Sequence, residues 1–199
     1  MNSEEVISQL CDVIGTDSVI TDNKEREYFS MDVFDIDEVA DLVIQPNSKD
    51  QISDALKILS KSDYEIIPRG GGMSYTGGYT PSTKRSAIID TSLLNQIIEI
   101  NPDDMYITVE AGCTWKTIYE ALKPMGLRLP FFGTNSGSMA TVGGGLSNGA
   151  LFFGTGKYGS AADNVLGMEI IIADGTLIKT GQNAFADAQP HHRTYGPDT

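Results

Sequence analysis

Pro68-Arg-Gly-Gly-Gly-Met-Ser-Tyr-Thr-Gly-Gly78 is the stretch that decides how this chain is read. It follows Glu65-Ile-Ile-Pro68, a short apolar run of strand character, so the glycines open a loop at a strand end. Consecutive glycines can turn several backbone N–H groups toward one point and form a nest for an anion such as phosphate. Ser74 and Thr76 offer hydroxyl donors, and Arg69 offers a charge. No Gly-Lys-[Ser/Thr] follows, so the loop is not of the Walker type.

Upstream, Val39–Ile44 reads as a strand ended by Pro46. Ser48 then caps a helix with Ile52, Ala55, Leu56 and Leu59 on one face. This strand–helix–strand order predicts a small parallel unit with the glycine loop at the carboxyl end of its second strand. Nearer the amino terminus, Ser3-Glu-Glu followed by Val6, Ile7, Leu10 and Ile14, stopped at Gly15, predicts a capped amphipathic helix. Downstream, Ser86–Asp90, Gln96–Asn101 and Met105–Ala111 read as strands. Thr114 caps a helix bearing Trp115, Ile118, Tyr119 and Leu122, broken at Pro124 and Gly126. Val165–Ala173 and Thr176–Thr180 flank Asp174-Gly175, a two-residue hairpin signal.

Glycine usage divides the chain. Residues 1–65 hold one glycine, Gly15, whereas fourteen of the 21 glycines fall in 70–78 and 133–159. These stretches also carry Tyr, Met, Phe and Asn, unlike a Gly/Ser spacer. The second contains Gly137-Ser-Met-Ala-Thr-Val-Gly-Gly-Gly-Leu-Ser-Asn-Gly149, suited to a flat, polar-edged ligand lying against backbone. Within it Gly154-Thr-Gly-Lys-Tyr-Gly159 matches G-x-G-x-x-G, and Asp174 lies twenty residues after Gly154, as in a dinucleotide-binding turn. The context contradicts that reading, because only 160–164 separate the motif from the next strand and leave room for about one helical turn.

The 199 residues carry 14 Lys+Arg against 27 Asp+Glu, a net charge of −13, which argues against nucleic-acid or anionic-membrane partners. Sixteen of the acids precede residue 66, five of them in the Asp32–Asp41 cluster, read as a solvated loop. No apolar run approaches membrane-spanning length, and Met1-Asn-Ser-Glu-Glu lacks a basic leader. Cys11 and Cys113 show no metal-type spacing and are expected as buried free thiols in the cytoplasm. His191-His192 sit in an aperiodic tail, and no metal site is expected.

Together these segments resemble the FAD-binding, PCMH-type domain of the vanillyl-alcohol oxidase family, also called the FAD-linked oxidase domain. Pro68–Gly78 is similar to its P-x-G-G-G-x-S…G-G pattern. Val109-Glu-Ala-Gly112, Thr141-Val-Gly-Gly144, Tyr158-Gly159, Asp163-Asn-Val-Leu-Gly167 and Ala173-Asp-Gly175 follow in family order over roughly 38–181. The nearest branch is the dehydrogenases and oxidases of 2-hydroxy acids, of D-lactate and glycolate type.

The resemblance implies an α+β fold: a small parallel β-α-β subdomain, then a mainly antiparallel sheet with flanking helices, with FAD held between the two. It implies a FAD-binding domain over residues 1–181, incomplete relative to the family, an irregular tail at 182–199 and no substrate-capping domain. Arg69, Gly70, Gly71, Gly72, Met73 and Ser74 would bind the pyrophosphate through backbone amides. Gly137, Ser138, Thr141, Gly143, Gly144 and Ser147 would line the ribityl, pyrophosphate or flavin side, and Ile171 would present backbone to the adenine. Covalently flavinylated members often carry His where Met73 stands, so noncovalent FAD is implied. The parent would oxidise a small hydroxy acid or alcohol, and no residue here is named catalytic. The alternatives are a non-catalytic flavin- or nucleotide-binding module and one part of a split multi-subunit oxidase.

Overall fold

A computed structural model describes residues 2–34, 37–130, 134 and 136–181. In chain order its elements are α1 (Ser3–Ile14), β1 (Val19–Ile20), α2 (Asn23–Ser30), β2 (Leu42–Ile44), α3 (Lys49–Leu59), β3 (Glu65–Arg69) and β4 (Ser86–Asp90). There follow β5 (Ile97–Asn101), β6 (Tyr106–Val109), α4 (Trp115–Leu122), α5 (Val142–Ser147), α6 (Thr155–Tyr158), β7 (Glu169–Ile171) and β8 (Leu177–Lys179). The expected α+β character is present, with one parallel unit and antiparallel pairs after it.

The first sheet has the order β1-β2-β4-β3, with β1 antiparallel and the rest parallel. The predicted strand–helix–strand unit is β2-α3-β3, but β4 is inserted between its two strands. Composition explains the order. All five residues of β4 are buried, as a central strand covered on both faces requires. β3 contains Pro68, which has no N–H to donate and suits an edge. The strand predicted over Val39–Ile44 shortens to Leu42–Ile44.

Alternation along the strands sorts the core into two faces. Leu42, Ile44, Ala87 and Ile89 pack against Val6, Leu10, Leu56 and Leu59 of α1 and α3. Val43, Ile67 and Ile88 face the other way, toward Tyr79 and Phe29 of α2. Helix α2 is absent from the sequence reading because its residues are mostly polar and only Ser30 is buried. It is held by Asp22, whose carboxylate accepts from Lys24 and Glu25, and by Arg26, which donates to the carbonyls of Ala40 and Asp41.

Ser48 and Thr114 cap α3 and α4 as expected. α1 is capped one residue earlier, by Asn2 in a reciprocal box with Glu5. Ser3 instead donates to Asp41 and accepts from Tyr64, a tie between α1 and the sheet. Burial first, and then the Asp41 hydrogen bond, push the Tyr64 phenol above its ordinary value.

The second half is built around Cys113, Trp115, Ile118 and Leu122. Cys113 is buried but Cys11 is only half-buried, and both are free thiols. The expected antiparallel sheet is, among the described residues, two separate two-stranded ribbons, β5-β6 and β7-β8. The strand expected over Val165–Ala173 narrows to Glu169–Ile171. Its turn also differs from a two-residue type, since only Gly175 has positive φ (86°). Gly175 N–H donates to Ile172 O and Ile172 N–H donates to Thr176 O, a three-residue turn with a glycine bulge.

The β7-β8 ribbon docks on α3. Ser53 Oγ donates to Gly175 O at 2.5 Å, and Glu169 meets Lys49 at 2.8 Å and Lys179 at 2.9 Å. Hydrogen bonds from Lys49 and then Lys179 hold the Glu169 carboxyl below its ordinary value. A depressed folded-state value means that this contribution is complete above the unfolded carboxyl's value of about 4.3 and disappears as pH falls through the folded one. Acidification should therefore lower amide-exchange protection in β7 and β8. The effect should stay within about 1 kcal/mol because the pair is partly exposed. Unchanged protection down to pH ~3 would contradict this anchoring role. Among the described residues no helix is long and apolar enough to cross a membrane.

Candidate functional site

Parallel sheets place ligands at the carboxyl ends of their strands, because the loops that can be spared for binding leave there. β3 ends at Arg69 and β4 at Asp90, and these two residues are register partners. Gly70–Gly72 turn away from that edge, with Gly72 at φ +65°. Among the described residues, no protein acceptor takes a hydrogen bond from the backbone N–H groups of Gly70, Gly71, Gly72, Met73 or Ser74. Unspent donors in this number fit a polyanion such as a pyrophosphate.

The glycines are needed for more than the nest. A Cβ on Gly71 would stand 1.8 Å from the Met139 carbonyl oxygen, and one on Gly70 would stand 2.4 Å from Thr141 Oγ1. The first glycine loop is thus pressed against the second stretch. Part of that stretch folds into α5, whose packing against its neighbours also leaves too little room for a side chain, though by a smaller margin. A Cβ on Gly143 would lie 2.9 Å from Ala111 Cβ, and one on Gly145 2.9 Å from Trp115 Cζ2. Gly112, not singled out from the sequence, has Thr91 O at 2.0 Å from its Cβ position.

A cavity of about 570 Å³ opens where the two stretches cross, with Gly70, Gly71 and Asp90 on one side and Thr114, Met139 and Thr141 on the other. A larger groove of about 810 Å³ runs along α2 past Glu27, Asp41 and Lys84. It contains neither glycine stretch, so the smaller cavity is the better candidate.

The expected site residues divide in three. Gly70–Ser74 keep backbone N–H groups unspent on any described residue, and Gly70 and Gly71 line the cavity. Thr141 also lines the cavity, and the N–H groups of Gly143 and Gly144 next to it are already used. Gly143 N–H donates to Ala111 O at 2.8 Å, and Gly144 N–H donates to Thr141 Oγ1 at 3.2 Å. Gly137 likewise donates to Thr134 O. These three glycines therefore contribute shape rather than amide donors. Ser138 and Ser147 are exposed, with side chains bonded to no described residue.

Ile171 stands apart, its half-buried side chain packed into the core on the α1–α3 face of the sheet. Arg69 also departs from expectation. Its side chain is 7% exposed with Asp90 3.8 Å away, packed against the first glycine loop at the wall of the cavity.

Gly154 and Gly159, both at positive φ, bracket the four-residue helix α6, and no longer helix follows. That is incompatible with a dinucleotide turn of Rossmann type. The acid cluster is less solvated than expected. Asp32 accepts from Gly77 N–H at 3.1 Å, so it holds the far end of the first loop, and Asp41 bonds Tyr64 and Ser3. Among the described residues no three His, Cys, Asp or Glu side chains cluster to hold a metal. His191 and His192 lie outside the described residues, as do Gly133 and Asp35.

The sequence pattern of the FAD binding domain matches residues 40–181. Over 197 residues the chain is 30% identical to the glycolate oxidase subunit GlcD of Bacillus subtilis, covering 98% of this chain and 41% of that protein. Over 155 residues it is 31% identical to the mitochondrial D-lactate dehydrogenase [cytochrome] of Kluyveromyces lactis, covering 77% and 26%. The fold is also that of 4-ethylphenol oxidase from Gulosibacter chungangensis, with a TM-score of 0.84 at 24% identity, covering 100% of this chain and 39% of that one. The chain spans less than half the length of each. The match takes in both glycine stretches and the cavity between them, and this chain belongs to the FAD binding domain family of PCMH type.

Proposed function

We propose that the chain is the FAD-binding portion of a flavin-dependent oxidoreductase that oxidises the CH–OH group of a 2-hydroxy acid such as D-lactate or glycolate. The observation that carries this reading is the row of unspent N–H groups from Gly70 to Ser74 beside the cavity. Those amides would hold the pyrophosphate by backbone alone, which lets a chain of net charge −13 bind an anion. Thr141, Gly143 and Gly144 would shape the opposite wall. When bound, FAD supplies a flavin ring able to accept a hydride from the hydroxyl-bearing carbon. The 2-hydroxy-acid class is favoured by the relatives that share the family, and the length that they have beyond this match would cover the substrate. Two free thiols suit a reducing compartment such as the cytoplasm.

FAD would be held without a covalent bond, because Met73 puts a thioether where a histidyl link would need an imidazole. Acid precipitation of the yellow protein should then release all colour to the supernatant. Colour kept in the pellet would overturn the noncovalent mode, and a colourless chain that ignores added FAD would overturn the whole reading.

A further inference from the structure

A buried guanidinium directly behind an anion-binding loop calls for an account of its own. Arg69 is enclosed by aromatic rings, its Cζ lying 5.6 Å from the Tyr28 centroid, 5.0 Å from Phe29 and 5.6 Å from Tyr79. Nη1 donates to Gly70 O at 3.4 Å and lies 3.8 Å from Asp90 Oδ1. A Cβ on Gly72 would come within 2.2 Å of Nη2, so the loop is wrapped directly over the guanidinium. Asp90 is fixed from its other oxygen, which accepts from Gln45 at 2.8 Å and Ser92 at 2.5 Å.

The pair is poorly made as a device for stability. Arg69 Nε and Asp90 Oδ1 are both buried without a hydrogen-bond partner, and a buried pair of this kind is weak evidence for net stabilisation. What it does achieve is a rigid, planar cation at one place under the loop. We infer that Arg69 is a positioning residue: caged by Tyr28, Phe29 and Tyr79, its guanidinium holds Gly70–Gly72 in the shape that turns their N–H groups toward the pyrophosphate. Asp90 sets how much of that positive charge the anion feels. This inference rests on the FAD reading above.

A lysine is no substitute, since a tetrahedral ammonium cannot stack on the rings and reach Gly70 O in one plane. With the full chain labelled at glycine nitrogen, Arg69→Lys should displace the Gly70, Gly71 and Gly72 amide signals while the fold is retained. It should weaken FAD and inorganic pyrophosphate by about tenfold each. Asp90→Asn leaves the cation uncompensated, so it should bind pyrophosphate about threefold more tightly, with a steeper salt dependence, even where its Tm falls. A merely structural pair would weaken binding in both variants in proportion to the lost Tm. That result would overturn the inference, as would unchanged glycine signals and an unchanged FAD titration in Arg69→Lys. A wild-type chain whose glycine amides ignore FAD and pyrophosphate would overturn the FAD reading instead. The ligand-free spectra of Arg69→Lys would still judge the positioning role.

Discussion

Gly71→Ala should leave the chain unable to retain FAD, with a Kd raised at least ~100-fold, and should lower its stability by about 1–3 kcal/mol. The added Cβ would meet the Met139 carbonyl oxygen at 1.8 Å and the carbonyl carbon at 2.6 Å. Both partners are backbone, so no rotamer change relieves the contact, and the two loops must part. Parting them moves the unspent N–H groups from Gly70 to Ser74 and opens the cavity between the stretches. Gly156→Ala is the control: its Cβ meets nothing within 4 Å, and it sits in α6. That variant should bind like the wild type and gain up to about 1 kcal/mol from better helix propensity. Urea unfolding and a FAD titration measure both. A Gly71→Ala chain with wild-type titration would show that the close approach of the loops does not make the site.

The flavin-saturated 199-residue chain should turn over D-lactate or glycolate at no more than background. Hydride removal needs the substrate carbon held against the flavin and a base to take the hydroxyl proton. Among the described residues Asp90 is the only carboxylate lining the cavity; it is 1% exposed and committed to Gln45, Ser92 and Arg69. Neither glycine stretch contains Asp or Glu, between 69 and 78 or between 133 and 159. The described cofactor-side segments therefore supply amides, hydroxyls and shape but no base. His191→Ala with His192→Ala should change nothing in steady-state dye reduction by a panel of 2-hydroxy acids. Robust turnover that disappears in the double variant would place the base among residues 182–199.

Local signals were legible, because a few adjacent residues settle them. Ser48 and Thr114 cap their helices by bonding an N–H three residues on. The apolar faces of α1, α3 and α4 follow helical spacing, and Asp174-Gly175 marks a hairpin although its turn type differs. The unspent amides of the first glycine loop were legible for a related reason, since consecutive glycines at a strand end carry no side chain to shield them. The second stretch carries no sequence signal for a helix, yet Val142–Ser147 within it form α5. Three successive glycines are poor helix formers, each about 1 kcal/mol worse than alanine. They form α5 because Ala111, Trp115 and Thr141 leave no room for larger residues.

The sequence by itself determined the caps of α3 and α4, the parallel strand–helix–strand unit and the run of unshielded amides at Gly70–Ser74, all set by neighbours within a few positions. Only the tertiary structure decided that β4 lies between β2 and β3, that Gly71 abuts Met139, and that Arg69 turns back into an aromatic cage opposite Asp90. Those pairings join residues far apart in the chain, where the outcome depends on which surfaces exclude water together and which backbones can approach most closely, and neither is encoded in any short window of sequence.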